Sequence, residues 1–165
     1  MVHSFKGSAA VLSVLITAFS LGACVSGAAV KQQAVSFSAA FGREWKLTAV
    51  KSAAPVNTGG REFSRQELQE IGMADAYTLQ IDEARLSGKA APNRYFTSYF
   101  LGDGYDIQVN PVAGTLMMSL KEPEGLKEQE YFAYLALVNR WDLHQDVLTL
   151  YTVNTGGEET LLIYE

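Results

Sequence analysis

Short runs in which apolar and polar residues alternate fill most of this chain. Trp45, Leu47 and Ala49 alternate in WKLTAV, Tyr77, Leu79 and Ile81 in YTLQID, and Tyr105, Ile107 and Val109 in YDIQV. A period of two is the mark of a half-buried strand. The segment Arg85–Gly88 pairs naturally with the second run across an Asp82-Glu83-Ala84 turn. RYFTSYFL, from Arg94 to Leu101, is an aromatic-rich strand that ends on Gly102-Asp103-Gly104, a strong hairpin signal. Asn110-Pro111 breaks the next run, and Thr115–Leu120 reads as a further strand. Two strands around Trp141–Leu143 and Val147–Val153 flank a His144-Gln145-Asp146 turn, and Thr160–Tyr164 closes the chain after Asn154-Thr155-Gly156-Gly157.

Helical spacing occurs twice. Ser64 and Glu67 form an S-x-x-E capping box, Phe63 and Leu68 stand where a hydrophobic staple would hold them, and Gly72 suits the stop. From about Leu126 to Arg140, Tyr131, Leu135 and Val138 fall at i, i+4 and i+7 with Phe132 beside them. Lys127, Glu128 and Glu130 are expected to face water. The fold these elements imply is mainly β (α+β): a small curled antiparallel β-sheet or barrel with one packed α-helix and one short helix. Pro55–Gly60 is a loop by its turn residues.

The N-terminus has a different pattern. Lys6 precedes an apolar stretch, Ala9–Leu21, that leads directly into Leu21-Gly22-Ala23-Cys24. A basic start, a short apolar run and small residues before a cysteine make a bacterial lipoprotein signal. The small Gly22 and Ala23 give a membrane peptidase access, and the thiol takes the diacylglyceryl group. Cleavage is expected after Ala23, with Cys24 as the lipidated N-terminus. Residues 1–23 are then the signal, 24–42 a flexible tether rich in Ala, Ser, Gly and Gln, and 43–165 the domain. Three alternatives stand beside this reading: an uncleaved span running on to Val30, a plain secretory signal with a free thiol, and an edge strand around Val35–Phe37. Acyl chains contribute about 0.8 kcal/mol per buried methylene, so two or three of them anchor stably.

Composition narrows the chemistry. The chain has 165 residues and a net charge of −5, and removal of residues 1–23 takes away one lysine and no acid, leaving a net of −6. That balance argues against a nucleic-acid partner and against a basic patch for anionic lipid. Cys24 is the only cysteine, so its lipidation leaves no disulfide. His144 is the only histidine beyond the signal, which leaves little for zinc sites or for Ser/His and Cys/His nucleophiles. No metal or cofactor is expected.

Asn93, Arg94 and Tyr95, within GKAAPNRY, are the candidate binding rim; the competing reading has Pro92-Asn93 as a turn with the Asn93 side chain bonded to backbone. His144 and Asp146, two apart with no nucleophile in view, read as a solvated turn. Glu122, Glu124, Glu128 and Glu130 suit the dipole of a helix start. Tyr95, Phe96, Tyr99 and Phe100 occupy both faces of one strand.

Taken in order, the Trp-x-Leu strand, YTLQID, RLSG, PNRY, the Gly-Asp-Gly hairpin, Thr-x-Met-Met, EQEYFAYL and LTLY…LLIY resemble the META domain family, to which the HslJ-like bacterial lipoproteins belong. The resemblance covers Arg43–Glu165. It implies a compact antiparallel β fold with a packed helix, on envelope or secreted proteins tied to stress responses, with no catalytic activity established in general. Carried over by position, Gly88, Asn93, Tyr99, Thr115, Met117 and the acidic helix start near Glu130 look like fold-defining positions. The chain departs from the family pattern at Pro92 and Ser119, where many members carry cysteine, and Pro55–Ala76 has the look of a subgroup insertion. The expectation is a non-enzymatic, lipid-anchored envelope domain that works by binding, or by supporting envelope integrity under stress, with the membrane through Cys24 and an unknown envelope protein or apolar ligand as partners. The alternatives are a carrier holding an apolar ligand inside the barrel and an enzyme using carboxylates or tyrosine. Unfilled volume between the aromatics and Met117/Met118 would favour the carrier, and a tightly filled interior would count against it.

Overall fold

The computed structural model describes residues 35–52, 63–117, 123 and 125–165. The signal, Cys24 and most of the tether lie outside these residues, as do the Pro55–Gly60 loop and Met118–Lys121. A 3-10 turn, Phe37–Ala40, comes first. It is followed by β1 (Glu44–Ser52), β2 (Phe63–Ser64), α1 (Arg65–Glu70), β3 (Thr78–Ile81), β4 (Arg85–Ala90) and β5 (Asn93–Leu101). Then come β6 (Ile107–Val109), β7 (Ala113–Gly114), α2 (Glu128–Ala136), β8 (Val138–His144), β9 (Val147–Val153) and β10 (Glu159–Tyr164).

The strands form one antiparallel sheet in the order β6-β5-β4-β3-β1-β10-β9-β8, with β2 added to β1 and β7 to β5. The two end strands meet where Asp106 bridges Arg140 and the Trp141 N–H donates to the Tyr105 carbonyl at 3.0 Å. The sheet is thereby a nearly closed barrel. Strand alternation gives it an inside: in β5, Asn93, Tyr95, Thr97 and Tyr99 are buried, while Arg94, Phe96, Ser98 and Phe100 are exposed.

Both ends of the barrel are filled. At one end α2 buries Tyr131 and Leu135. At the other, the 3-10 turn inserts Phe37, whose ring lies 5.3 Å from Tyr99 and 4.9 Å from Trp141, and the Trp45 Nε1–H donates to the Ala40 carbonyl at 2.8 Å. The segment expected to be tether up to residue 42 therefore belongs to the domain from about Ser36. Phe37 and Ala40 are 2% and 0% exposed, and burial of this three-apart pair outweighs the flexibility that their small neighbours suggest. The alternative edge strand at Val35–Phe37 is not formed.

The expected helix from Leu126 to Arg140 is shorter. It ends at Ala136, and Val138 opens β8. The Ser64–Glu67 box forms as read, with the Ser64 N–H donating to Glu67 Oε2 at 2.7 Å, and Gly72 takes φ +74 just beyond α1. Of the expected Thr115–Leu120 strand, Thr115–Met117 lie outside any strand, and pairing is made earlier by Ala113 and Gly114.

Candidate functional site

The three rim candidates part company. Asn93 opens β5 and is 3% exposed. Its Nδ2 donates to the Met117 carbonyl at 3.0 Å and to Glu128 Oε2 at 2.7 Å. Its Oδ1 accepts from Thr115 Oγ1 at 2.6 Å and from the Met117 N–H at 2.7 Å. Both ends of the amide are thus spent inside the protein, clamping the strand-like segment after β7 and the first turn of α2 to β5. The rim reading is corrected for this residue. Its side chain does bond backbone, as the turn reading had it, but backbone 24 residues away. Glu128 is corrected too: it is 6% exposed and faces Asn93 at the helix start, where a carboxylate is also favoured by the dipole.

Tyr95 is likewise no rim residue. It is 2% exposed, and its hydroxyl donates to the Thr78 carbonyl at 2.8 Å. The same hydroxyl lies 3.0 Å from that of Tyr131, which lies 3.0 Å from that of Tyr164. This chain of phenols runs from β3 through β5 and α2 to β10. Burial is the main cause that pushes all three up, Tyr131 to about 12 and the other two well above the ordinary value near 10. The hydroxyls stay protonated at neutral pH and act as donors in a sealed row. They are not placed to accept a proton from anything outside. Gly88, opposite Tyr95, has no room for a side chain, since a Cβ there would meet the Thr78 carbonyl and lie 2.9 Å from the Tyr95 hydroxyl.

Arg94 is the one candidate of the three that reaches the surface, on the outer side of β5. Phe96 and Phe100 lie on the same side, 56% and 63% exposed. Among the other positions singled out from the sequence, Tyr99 donates to the Asp82 carbonyl at 2.7 Å, and its hydroxyl is pushed up to about 12 chiefly by burial. Asp146 pairs with Arg43 at 2.8 Å, and His144 is exposed at the end of β8, so their turn is solvated as read. Glu130 receives the Tyr134 hydroxyl at 3.2 Å. Among the described residues, no three His, Cys, Asp or Glu side chains are grouped so as to hold a metal ion. Cys24 and the cleavage site at Ala23 lie outside the described residues.

Sequence reasoning missed the partnership of Asn93 with Glu128. The available signal was weak: one amide and one acid, 35 residues apart, each at the start of an element. It also missed the arrangement of charge on the outer face, which depends on strand register.

These features define a small, nearly closed antiparallel barrel with a row of buried, hydrogen-bonded phenols inside it. The META domain matches residues 36–163, and the chain belongs to the META domain family. Its match begins where Ser36 caps the 3-10 turn, in agreement with the structural start of the domain. An NMR structure of a protein from Burkholderia xenovorans is similar at 22% identity with a TM-score of 0.54, over 77% of this chain and 84% of that one; this likeness is one of fold. A crystal structure of a DUF4847-family protein from Bacteroides vulgatus aligns at 10% identity with a TM-score of 0.49, over 76% of this chain and 94% of that one. No curated protein matches the chain.

Proposed function

We propose that this protein is a lipid-anchored component of a bacterial cell envelope, on the outer membrane, whose META domain works by binding rather than by catalysis and supports the envelope under stress. The observation that carries the anchor is the run Leu21-Gly22-Ala23-Cys24 behind a short apolar stretch. Twelve residues separate Cys24 from the start of the 3-10 turn at Phe37, a reach of at most about 47 Å when fully extended. An acylated Cys24 would hold the domain that close to the bilayer. The filled interior supports binding at the surface over carriage within. Trp45, Tyr77, Tyr95, Tyr131 and Tyr164 are all fully buried at its centre, and the phenol row occupies the space that an apolar ligand would need.

The test is the mass of the N-terminal peptide of the full chain expressed in a diderm bacterium. The expected peptide begins at Cys24 and carries a diacylglyceryl thioether, and Cys24→Ala leaves the membrane fraction. An N-terminal peptide that begins upstream of Cys24, or a free Cys24 thiol, overturns the anchor.

A further inference from the structure

The outer face of β1, β3, β4 and β5 carries an arrangement of charge that folding does not explain. Register sets its side chains in rows. Lys46 stands opposite Thr78, and Lys89 stands opposite Arg94; in the next row Glu44, Gln80, Ser87 and Phe96 follow one another across the four strands. Two adjoining troughs of about 270 and 310 Å³ lie along this face and share Glu44, Gln80, Arg85 and Ser87.

Lys89 and Arg94 are exposed cations placed directly across from each other, an arrangement that repels and that strand pairs ordinarily avoid. Neither takes part in the ion pairs found among the described residues. Asp75, whose carboxylate also feels Lys89, is already engaged: it is bonded by Lys46 at 2.8 Å and approached by Arg65 at 3.9 Å. Its carboxyl is held below the usual range, first by Lys46 and then by Arg65 and Lys89. Arg43, Arg85, Lys89 and Arg94 line the two troughs against Glu44 and Asp82, a local reversal of sign in a chain of net charge −5.

We propose that this face binds an anionic oligosaccharide, a chain of hydroxylated sugar units that carries carboxylates. Arg94 and Lys89 supply the charge-assisted donors for a carboxylate, and a bound anion relieves their mutual repulsion. The Gln80 amide, the Ser87 hydroxyl and the Glu44 carboxylate offer donors and acceptors to sugar hydroxyls. Phe96, beside Arg94, gives an exposed apolar plane on which the C–H face of a sugar ring can lie. Glu44 distinguishes this ligand from a uniform polyanion, whose charge would meet a carboxylate partway along the trough. The assignment deepens the reading of the domain as a binding module, and it does not depend on the anchor.

The test is calorimetric titration of the detergent-solubilised full chain with a galacturonate hexasaccharide, a maltose-series hexasaccharide and an aspartate hexapeptide. The expected result is saturable binding of the galacturonate, with affinity at least about tenfold below it for the neutral sugar and the peptide. The double variant Lys89→Gln/Arg94→Gln is expected to lose at least about tenfold, and Phe96→Ala several-fold, at unchanged urea midpoints. No saturable binding of galacturonate, equal binding of the aspartate peptide, or a double variant that binds as the parent does overturns the proposal. The N-terminal mass of the same preparation reports on the anchor separately.

Discussion

Replacing Asn93 by alanine tests whether the amide clamp holds the helix to the barrel. The side chain makes four hydrogen bonds, two given and two received, all at 3.0 Å or less. Its removal leaves the Met117 N–H and carbonyl without those partners and strips Glu128, 6% exposed, of its amide donor. An orphaned neutral group costs about 1–3 kcal/mol if water cannot reach it, and a charged one costs more. Met117 is 56% exposed, so water recovers part of its loss, and the Thr115 hydroxyl can turn away. Glu128 has no such recourse. The sum expected for Asn93→Ala is about 3–4 kcal/mol, a large part of the stability of a domain this size. Urea unfolding followed by tryptophan fluorescence reads it as a drop in midpoint at unchanged slope.

Asn93→Asp separates the amide donor from mere volume. It keeps the acceptor and sets a second carboxylate against Glu128, so one of the two has its pKa raised in the folded state. A carboxyl raised above its unfolded value is destabilising when ionised, so this variant should gain stability as pH falls from neutrality through the raised value. Asn93→Ala should show no such gain. A loss below about 1 kcal/mol for Asn93→Ala, or an Asn93→Asp variant with the pH profile of the parent, would refute the clamp.

Two further outcomes follow from the packing. Phe37→Ala removes a ring enclosed by Tyr99 and Trp141 and should cost about 3–5 kcal/mol. A chain started at Arg43 should lose at least as much, and a calorimetric midpoint equal to the parent's would show that the domain does begin at residue 43. The phenol row should make the protein sensitive to alkali. Tyr131 titrates near 10 when unfolded and at about 12 when folded, so its contribution is intact below pH 10 and is lost as pH rises through about 12. Tyr95 and Tyr164 act in the same direction. Absorbance at 295 nm should show these phenols ionising only as the fold melts, and Tyr131→Phe, which leaves two hydroxyls short of a partner, should lower the unfolding free energy by about 1–3 kcal/mol, read as a lower urea midpoint.

The alternation of Trp45 and Leu47, and of Leu79 and Ile81, made the strands legible, because these positions are buried; beyond Leu47 a bulge passes the buried position from the expected Ala49 to Val50. The overlong helix has a specific cause. A bulge between Val138 and Arg140 adds a residue to β8, so its buried positions are Val138, Trp141 and Leu143. The step of three from Val138 to Trp141 continues the spacing of Tyr131 and Leu135, and a bulged strand then reads as helix. The 3-10 turn was hidden for the opposite reason. Its evidence is only Phe37 and Ala40 behind a Ser36 cap, among residues whose composition suits a linker. The site was less legible than the fold. Asn93 and Arg94 are neighbours in sequence, yet strand alternation sends one to the core and the other to solvent.

That division bears on where the proposed binding would occur. A carrier needs interior volume and an opening; among the described residues, α2 buries Tyr131 and Leu135, Phe37 packs on Tyr99 and Trp141, and a row of phenols joins β5, α2 and β10. Each hydroxyl in the row is engaged with its neighbour, so admitting an apolar ligand would orphan buried donors as well as displace side chains. Widening the cavity by substitution would first lower stability. The outer face has the reverse properties: its rows of side chains are set by register, Lys89 and Arg94 take part in none of the ion pairs found among the described residues, and both are exposed. On the proposed reading, ligand specificity set on this face is altered at small cost to folding, and the stability of the Lys89→Gln/Arg94→Gln variant measures how separate the two are. An unchanged midpoint would show that the opposed cations are separable from folding, and a raised one that their repulsion also strains the free protein.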